Sequence, residues 1–223
     1  MFPTSTVGRK LVMALTGQFM IFYVIAHVIG NSTIYWRATN TYAEGLRHWP
    51  FVIVLWSSRF LLFISVALHA LYGVVLWLEN RRAKPERYAL SSNLSATFAG
   101  RNMIWTGICI GMFLFFHLIH FTFQVIDTST AAIAHPDNLG RPDVFMMLVQ
   151  SFQHLEIVSI YIVATAALLL HLAHGIQSSF QTCGINNDRT LPVIEKAGTV
   201  TALILFLGYA AIPVVIVTGI LKG

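Results

Sequence analysis

Residues 51–78 read FVIVLWSSRFLLFISVALHALYGVVLWL, an apolar run with one formal charge, Arg59, inside it. A helix needs about 20 apolar residues to cross a hydrocarbon core of roughly 30 Å, and this run exceeds that length. Four more segments qualify: 11–34, 103–126, 154–178 and 196–221. The chain of 223 residues is 56% hydrophobic and 10% charged, with a mean hydropathy of +0.70, which excludes an ordinary soluble globular domain. The expected fold is an all-α membrane protein with five transmembrane helices. The connecting stretches, 35–50, 79–102, 127–153 and 179–195, are too short to hold a second domain, so residues 1–223 form a single transmembrane domain.

The first ten residues are polar and end in Arg9 and Lys10. The apolar run after them is too long for the core of a signal peptide, which predicts a retained first helix. Five helices place the two termini on opposite sides. The N-terminal side carries Arg9, Lys10, Arg81, Arg82, Lys84, Arg87, Arg101, Arg189 and Lys196; the other side carries Arg37, Arg47, Arg59, Arg141 and Lys222. This bias predicts a cytoplasmic N-terminus and a C-terminus outside. Trp36, Trp49, Trp56, Trp77 and Trp105 fall near the span ends, where amphipathic rings settle at the interface. The formal charge of +5 is scattered among loops without an aromatic-interleaved basic cluster, so no nucleic-acid partner is expected. Cys109 falls inside a span and Cys183 in a polar loop, too far apart for a disulfide.

Four histidines sit late in four successive spans: His27, His69, His117 and His171. Successive spans run in opposite directions, so "late" is one depth for the first and third and another for the second and fourth. At about 1.5 Å per residue, His27 lies roughly 24 Å and His117 roughly 21 Å from the N-terminal side of the membrane. His69 and His171 each lie roughly 26 Å from the opposite side. The four therefore form two pairs at two levels, the arrangement two stacked b-type haems need. An ionisable group inside a span marks a functional site by default, although a lone histidine there commonly bonds a neighbouring helix. Imidazole suits iron, and two axial histidines leave no vacancy for oxygen or substrate. Gly17 and Gly107 each precede a histidine by ten residues, within a repeated Thr-Gly, and leave room for a porphyrin near the level of the other pair; close helix packing is the alternative. Gly73 and Gly175 each follow a histidine by four residues, so the first two helices resemble the next two. His120 and His174, three residues after a proposed ligand, are secondary, because no acid or thiolate completes a zinc site beside them. His135 and His154 are expected to be solvated.

With His27, His-Ala-Leu-Tyr-Gly from His69, Thr-Gly-x9-His ending at His117, and His-x-x-x-Gly-Ile from His171, the chain resembles, over nearly its full length, the dihaem cytochrome b membrane anchors of succinate:quinone oxidoreductases, the succinate dehydrogenases and fumarate reductases. The resemblance implies four helices bundled around two stacked haems b, the distal one on His27 and His117 and the proximal one on His69 and His171. It implies a place in the inner (cytoplasmic) membrane, docked at the cytoplasmic face to a flavoprotein subunit with FAD and an iron–sulfur subunit, with a membrane quinone, menaquinone being favoured, as redox partner. The chain has no dinucleotide-binding fingerprint and only two cysteines, so the dicarboxylate chemistry belongs to those partners. The family uses a polar residue of the first outer loop for the quinone, which implies Glu44 or His48; as a plain loop both would be solvated. Some members carry an acid two residues before the fourth ligand, where this chain has Leu169. The competing readings are the dihaem anchor of a hydrogenase or formate dehydrogenase, and a haem-free transporter whose histidines relay protons.

Overall fold

The structure, a computed structural model, describes residues 5–83, 97–126 and 130–223. Among them are the helices α1 (Thr6–Asn31), α2 (Thr39–Gly45), α3 (Phe51–Arg82), α4 (Phe98–Arg101), α5 (Met103–His117), α6 (Val144–Ser151), α7 (Leu155–Thr182) and α8 (Leu191–Val217). A 3₁₀ turn, Ser32–Trp36, prolongs α1, and a π turn, Leu118–Thr122, prolongs α5. Five of these, α1, α3, α5 together with its π turn, α7 and α8, are long and apolar enough to cross a membrane. The protein is an all-α, multi-pass membrane protein.

The helices run past the expected spans because hydropathy marks the hydrocarbon and not the helix. The first starts at Thr6 rather than 11, where Ser5 caps it by accepting from the Gly8 N–H at 3.0 Å. The second continues to Arg82 rather than 78. Its last turn is polar, and Arg9 donates to Glu79 at 2.5 Å, tying α1 to α3 on the N-terminal side. The fifth starts at Leu191 rather than 196, with proline in its first turn. The third is shorter than 103–126. The Phe123 N–H bonds back to the Leu118 carbonyl at 2.8 Å, widening the turn, and Gln124 at φ 54° ends it.

The loops on the far side, opposite the N-terminus, hold α2, which is short and polar, and α6, which is apolar but only eight residues long, so a hydropathy trace shows neither as a span. Asp143 caps α6 by accepting from Met146 N–H at 2.9 Å. The Asn40 amide donates to Asp143 at 2.9 Å and to Asp137 at 3.3 Å, and its carbonyl accepts from Phe145 N–H at 2.9 Å. One side chain thus sews α2 to α6. Beneath this cap Ile34, Phe145, Val149, Phe152, Val158, Tyr161, Ile212 and Ile216 form a buried cluster.

Among the spans, α1 packs on α3, α5 on α7, and α7 on α1, while α3 and α5 barely touch. The four therefore form a ring in which α1 faces α5 diagonally and α3 faces α7. Helix α8 lies outside the ring against α7 and α1. It packs closely there because its contact stripe is small: Ala202 is fully buried, a Cβ at Gly198 would lie 3.2 Å from Ile176, and one at Gly208 2.9 Å from Val28. Gln18 bonds Ser179 across the α1–α7 contact. Large apolar side chains such as Phe60, Phe63 and Met112 are exposed, as lipid-facing residues must be.

Arg141, which bonds Asp137 at 2.9 Å, together with backbone donors at Leu139 and Arg141, lowers the Asp137 carboxyl to about 2. A lowered carboxylate stabilises the folded loop above its ordinary value near 4, and that contribution disappears as pH falls from about 4 to about 2. Amide exchange at Leu139 and Arg141 is expected to be slow and pH-insensitive in its protection above pH 5, and to lose protection across that window. In Asp137→Asn the window should vanish; an unchanged window in that variant refutes the assignment.

Candidate functional site

Two histidine pairs bridge the diagonals of the ring. The rings of His27 on α1 and His117 on α5 are 6.0 Å apart, centre to centre, at 86°. Those of His69 on α3 and His171 on α7 are 6.2 Å apart at 62°. All four are half-buried. Helices that do not pack on each other thus meet through imidazoles in the interior, at two depths.

The second nitrogen of each ring decides what the first can do. His69 Nδ1 lies 3.0 Å from the Met13 carbonyl, which can only accept, so Nδ1 carries the proton and Nε2 the lone pair. His171 Nδ1 lies 3.0 Å from Thr106 Oγ1, whose own proton is shared between the Asn102 and Met103 carbonyls at 3.1 Å each. The hydroxyl accepts from the imidazole, and His171 too keeps its lone pair on Nε2. Gly17 and Gly107, the glycines of the repeated Thr-Gly, stand beside these same two rings: a Cβ would lie 3.2 Å from His69 Cε1 and 3.5 Å from His171 Cε1. The repeat is longer than the Thr-Gly that the spacing picks out, since Met13-Ala-Leu-Thr-Gly matches Met103-Ile-Trp-Thr-Gly. In the first copy the histidine bonds the methionine carbonyl directly, and Thr16 Oγ1 bonds Val12 and Met13 carbonyls instead. In the second copy Thr106 stands between.

The far-side pair is enclosed by aromatic rings that the histidine spacing does not reveal. Tyr161 of α7 places its hydroxyl 3.2 Å from both His117 Nδ1 and His120 Nδ1, and packs edge-on against Phe113 and Phe152 at 4.9 and 5.0 Å. Tyr23 stacks on His27 at 5.9 Å. Tyr209, from α8, lies 6.1 Å from His27 and donates to the Val24 carbonyl at 2.6 Å. Tyr161 could have been noticed in the sequence: it precedes His171 by ten residues, the spacing of Gly17 and Gly107 from their histidines. Tyr209 could not, because it lies on the one span without a candidate ligand.

Imidazoles bind a metal at about 2 Å, so two of them on opposite sides of one ion stand with ring centres roughly 6 Å apart. Both pairs have that separation, and the lower pair, His69 and His171 on the half nearer the N-terminal side, also has its lone pairs fixed on Nε2 by an outer partner, which is how ligating histidines are held. Among the described residues no group of three His, Cys, Asp or Glu side chains converges on a common point. His174 lies over Gly100, with Nδ1 buried and without a hydrogen-bond partner among the described residues.

Glu44 and His48 come together on the far side: His48 Nε2 lies 2.9 Å from Glu44, and Arg47 bonds the same carboxylate at 3.4 Å. His48 is largely exposed, and neither residue has a hydrogen bond or ring contact with the His27–His117 pair. Open space adjoins Gly73 and Gly111, whereas Gly30 is packed against Tyr42 and Gly175 touches Met103. No protein-family model, curated protein or solved structure matches the chain.

The tautomer of His69 is open to measurement. In the ligand-free protein, ¹⁵N NMR of labelled histidine should find it protonated at Nδ1. Gly17→Val, which crowds the ring, is expected to break the Met13 bond and leave a mixture of tautomers. An Nε2-protonated His69 in the unsubstituted protein contradicts the geometry.

Proposed function

We propose that this chain is the membrane anchor of a succinate dehydrogenase or fumarate reductase complex, which carries electrons between an iron–sulfur subunit and a membrane quinone. The observation that carries the proposal is the pair of diagonal histidine couples, each with the ring spacing of two axial ligands on one iron. His27 and His117 would hold the distal haem b, His69 and His171 the proximal one. Bound there, such haems would supply reversible one-electron carriage.

The rest of the chain's part is to hold those rings. The Met13 carbonyl and Thr106 Oγ1 fix the lower pair, and Gly17 and Gly107 let the helix backbones come close to it. For His117 to present Nε2, its Nδ1 proton must be donated to Tyr161. The Tyr161 hydroxyl then donates to His120, so a single hydroxyl sets both imidazoles.

Docking of the partner subunits falls to the N-terminal side, taken as cytoplasmic. Arg81 stacks over Trp77 at 4.9 Å, and Arg82 ends α3 beside it. The Arg189 backbone N–H is held by Asn187 at 2.9 Å in the turn before α8. Lys84 and Arg87, also expected on this surface, lie outside the described residues. These cations suit an acidic partner surface and would speed its approach. The far side holds the quinone end, with menaquinone as the favoured species.

The deciding measurement is a reduced-minus-oxidised spectrum of the purified protein. Two b-type components are expected, and their absence would sink the proposal. His27→Ala or His117→Ala should each remove one component, about half of the haem, and His69→Ala or His171→Ala the other. Thr106→Val should keep both haems and raise the potential of the His69–His171 component alone, because the imidazole loses the acceptor that strengthens it as a ligand.

A further inference from the structure

A second feature of the far side lies a few residues from the His27–His117 pair. A cavity of about 210 Å³ opens there, lined by His120, Ile126, Ser151, His154, Glu156 and Ile157. Its floor is built rather than incidental. Ser151 is 2% exposed, and its hydroxyl has no hydrogen-bond partner among the described residues. An unbonded hydroxyl at such depth is costly unless something fills the space in front of it. His120, 5% exposed, forms the wall toward the pair through Tyr161, whose hydroxyl is 3.2 Å from both His120 and His117. His154 and Glu156 are exposed at the mouth, and Ile126 and Ile157 supply apolar flanks.

We infer that this cavity, and not the Glu44–His48 surface, receives the headgroup of the quinone; the inference rests on the quinone-linked function proposed above. A quinone ring is flat and apolar, with two opposed carbonyl oxygens that accept hydrogen bonds, and its quinol form donates them. The Ser151 hydroxyl can do either, which suits it to both redox states. The cavity has room for one or two fused rings but not for a prenyl chain, which must leave between the apolar flanks into lipid. Glu44, by contrast, spends its carboxylate on His48 and Arg47, and His48 is 70% exposed with no enclosing wall. Oxidation of quinol to quinone releases two electrons and two protons, and the reverse reaction takes them up. A haem held by His27 and His117 would take up or give those two electrons one at a time. The protons exchange through Glu156 and His154, which stand between the cavity and the far-side solvent.

The test uses the full chain in lipid nanodiscs and an azido-naphthoquinone photolabel, with the cross-linked peptides identified by mass spectrometry. Saturable labelling of residues 120–126 or 151–157 is expected. Ser151→Ala, which removes only the buried hydroxyl, should weaken the label's competition by menadione roughly five- to tenfold. Glu156→Gln should leave that competition intact while slowing quinol oxidation at least tenfold. Labelling confined to residues 44–56, or no saturable labelling, overturns the inference. The b-type spectrum, recorded on the same samples, separates the two proposals: haem present with the label elsewhere removes only the cavity assignment. Labelling at the cavity without haem bands removes the cytochrome function and leaves the quinone pocket standing.

Discussion

The rest of the structure depends on keeping imidazole nitrogens away from hydrocarbon. A polar nitrogen inside the bilayer has no water to bond, so each ring must find a partner in the protein or a ligand. The bundle meets this by turning the four rings inward along its diagonals, backing His69 with the Met13 carbonyl, His171 with the Thr106 hydroxyl and His117 with the Tyr161 hydroxyl, and packing His27 between the rings of Tyr23 and Tyr209. Those partners account for features that otherwise look unrelated: the glycines beside His69 and His171, the small-residue stripe that lets α8 bring Tyr209 to His27, and the aromatic enclosure around the upper pair. An apolar bundle without these histidines would need none of them.

Much of the fold was legible because lipid imposes a simple rule: about 20 apolar residues per crossing. The same rule hid what does not face lipid. Helix α6 is apolar enough, but at eight residues it is too short to register as a span, and it becomes visible only through the Asp143 cap and the Asn40 link to α2. The π turn after His117 leaves no trace in hydropathy, since its residues are as apolar as those of a regular helix. Depth, by contrast, follows from counting residues, so the partnering of His27 with His117 and of His69 with His171 could be read before any coordinates. Which nitrogen each ring presents could not, because the acceptors at Met13 and Thr106 lie on other helices, more than fifty residues away in the chain.

The two copies of the Met-x-x-Thr-Gly repeat show how one packing problem admits two solutions. In both, glycine admits the imidazole of a neighbouring span and the turn before it offers oxygen. A direct carbonyl bond serves His69, and a hydroxyl relay serves His171. The relay can change character with one substitution, whereas the carbonyl cannot be removed by any. The two rings of one level thus differ in how open they are to tuning.

The thin contact between α3 and α5 divides the ring into two hairpins, α1 with α3 and α5 with α7. Each hairpin carries one histidine of each couple, so neither half contains a finished site. Whatever joins the two nitrogens of a couple also staples one hairpin to the other, at two heights and from the inside. Since a ligand bound only by the assembled state stabilises that state by mass action, a ligand shared by the two nitrogens of a couple would make loading the interior and closing the bundle one equilibrium, and its supply would set how much of the protein is assembled.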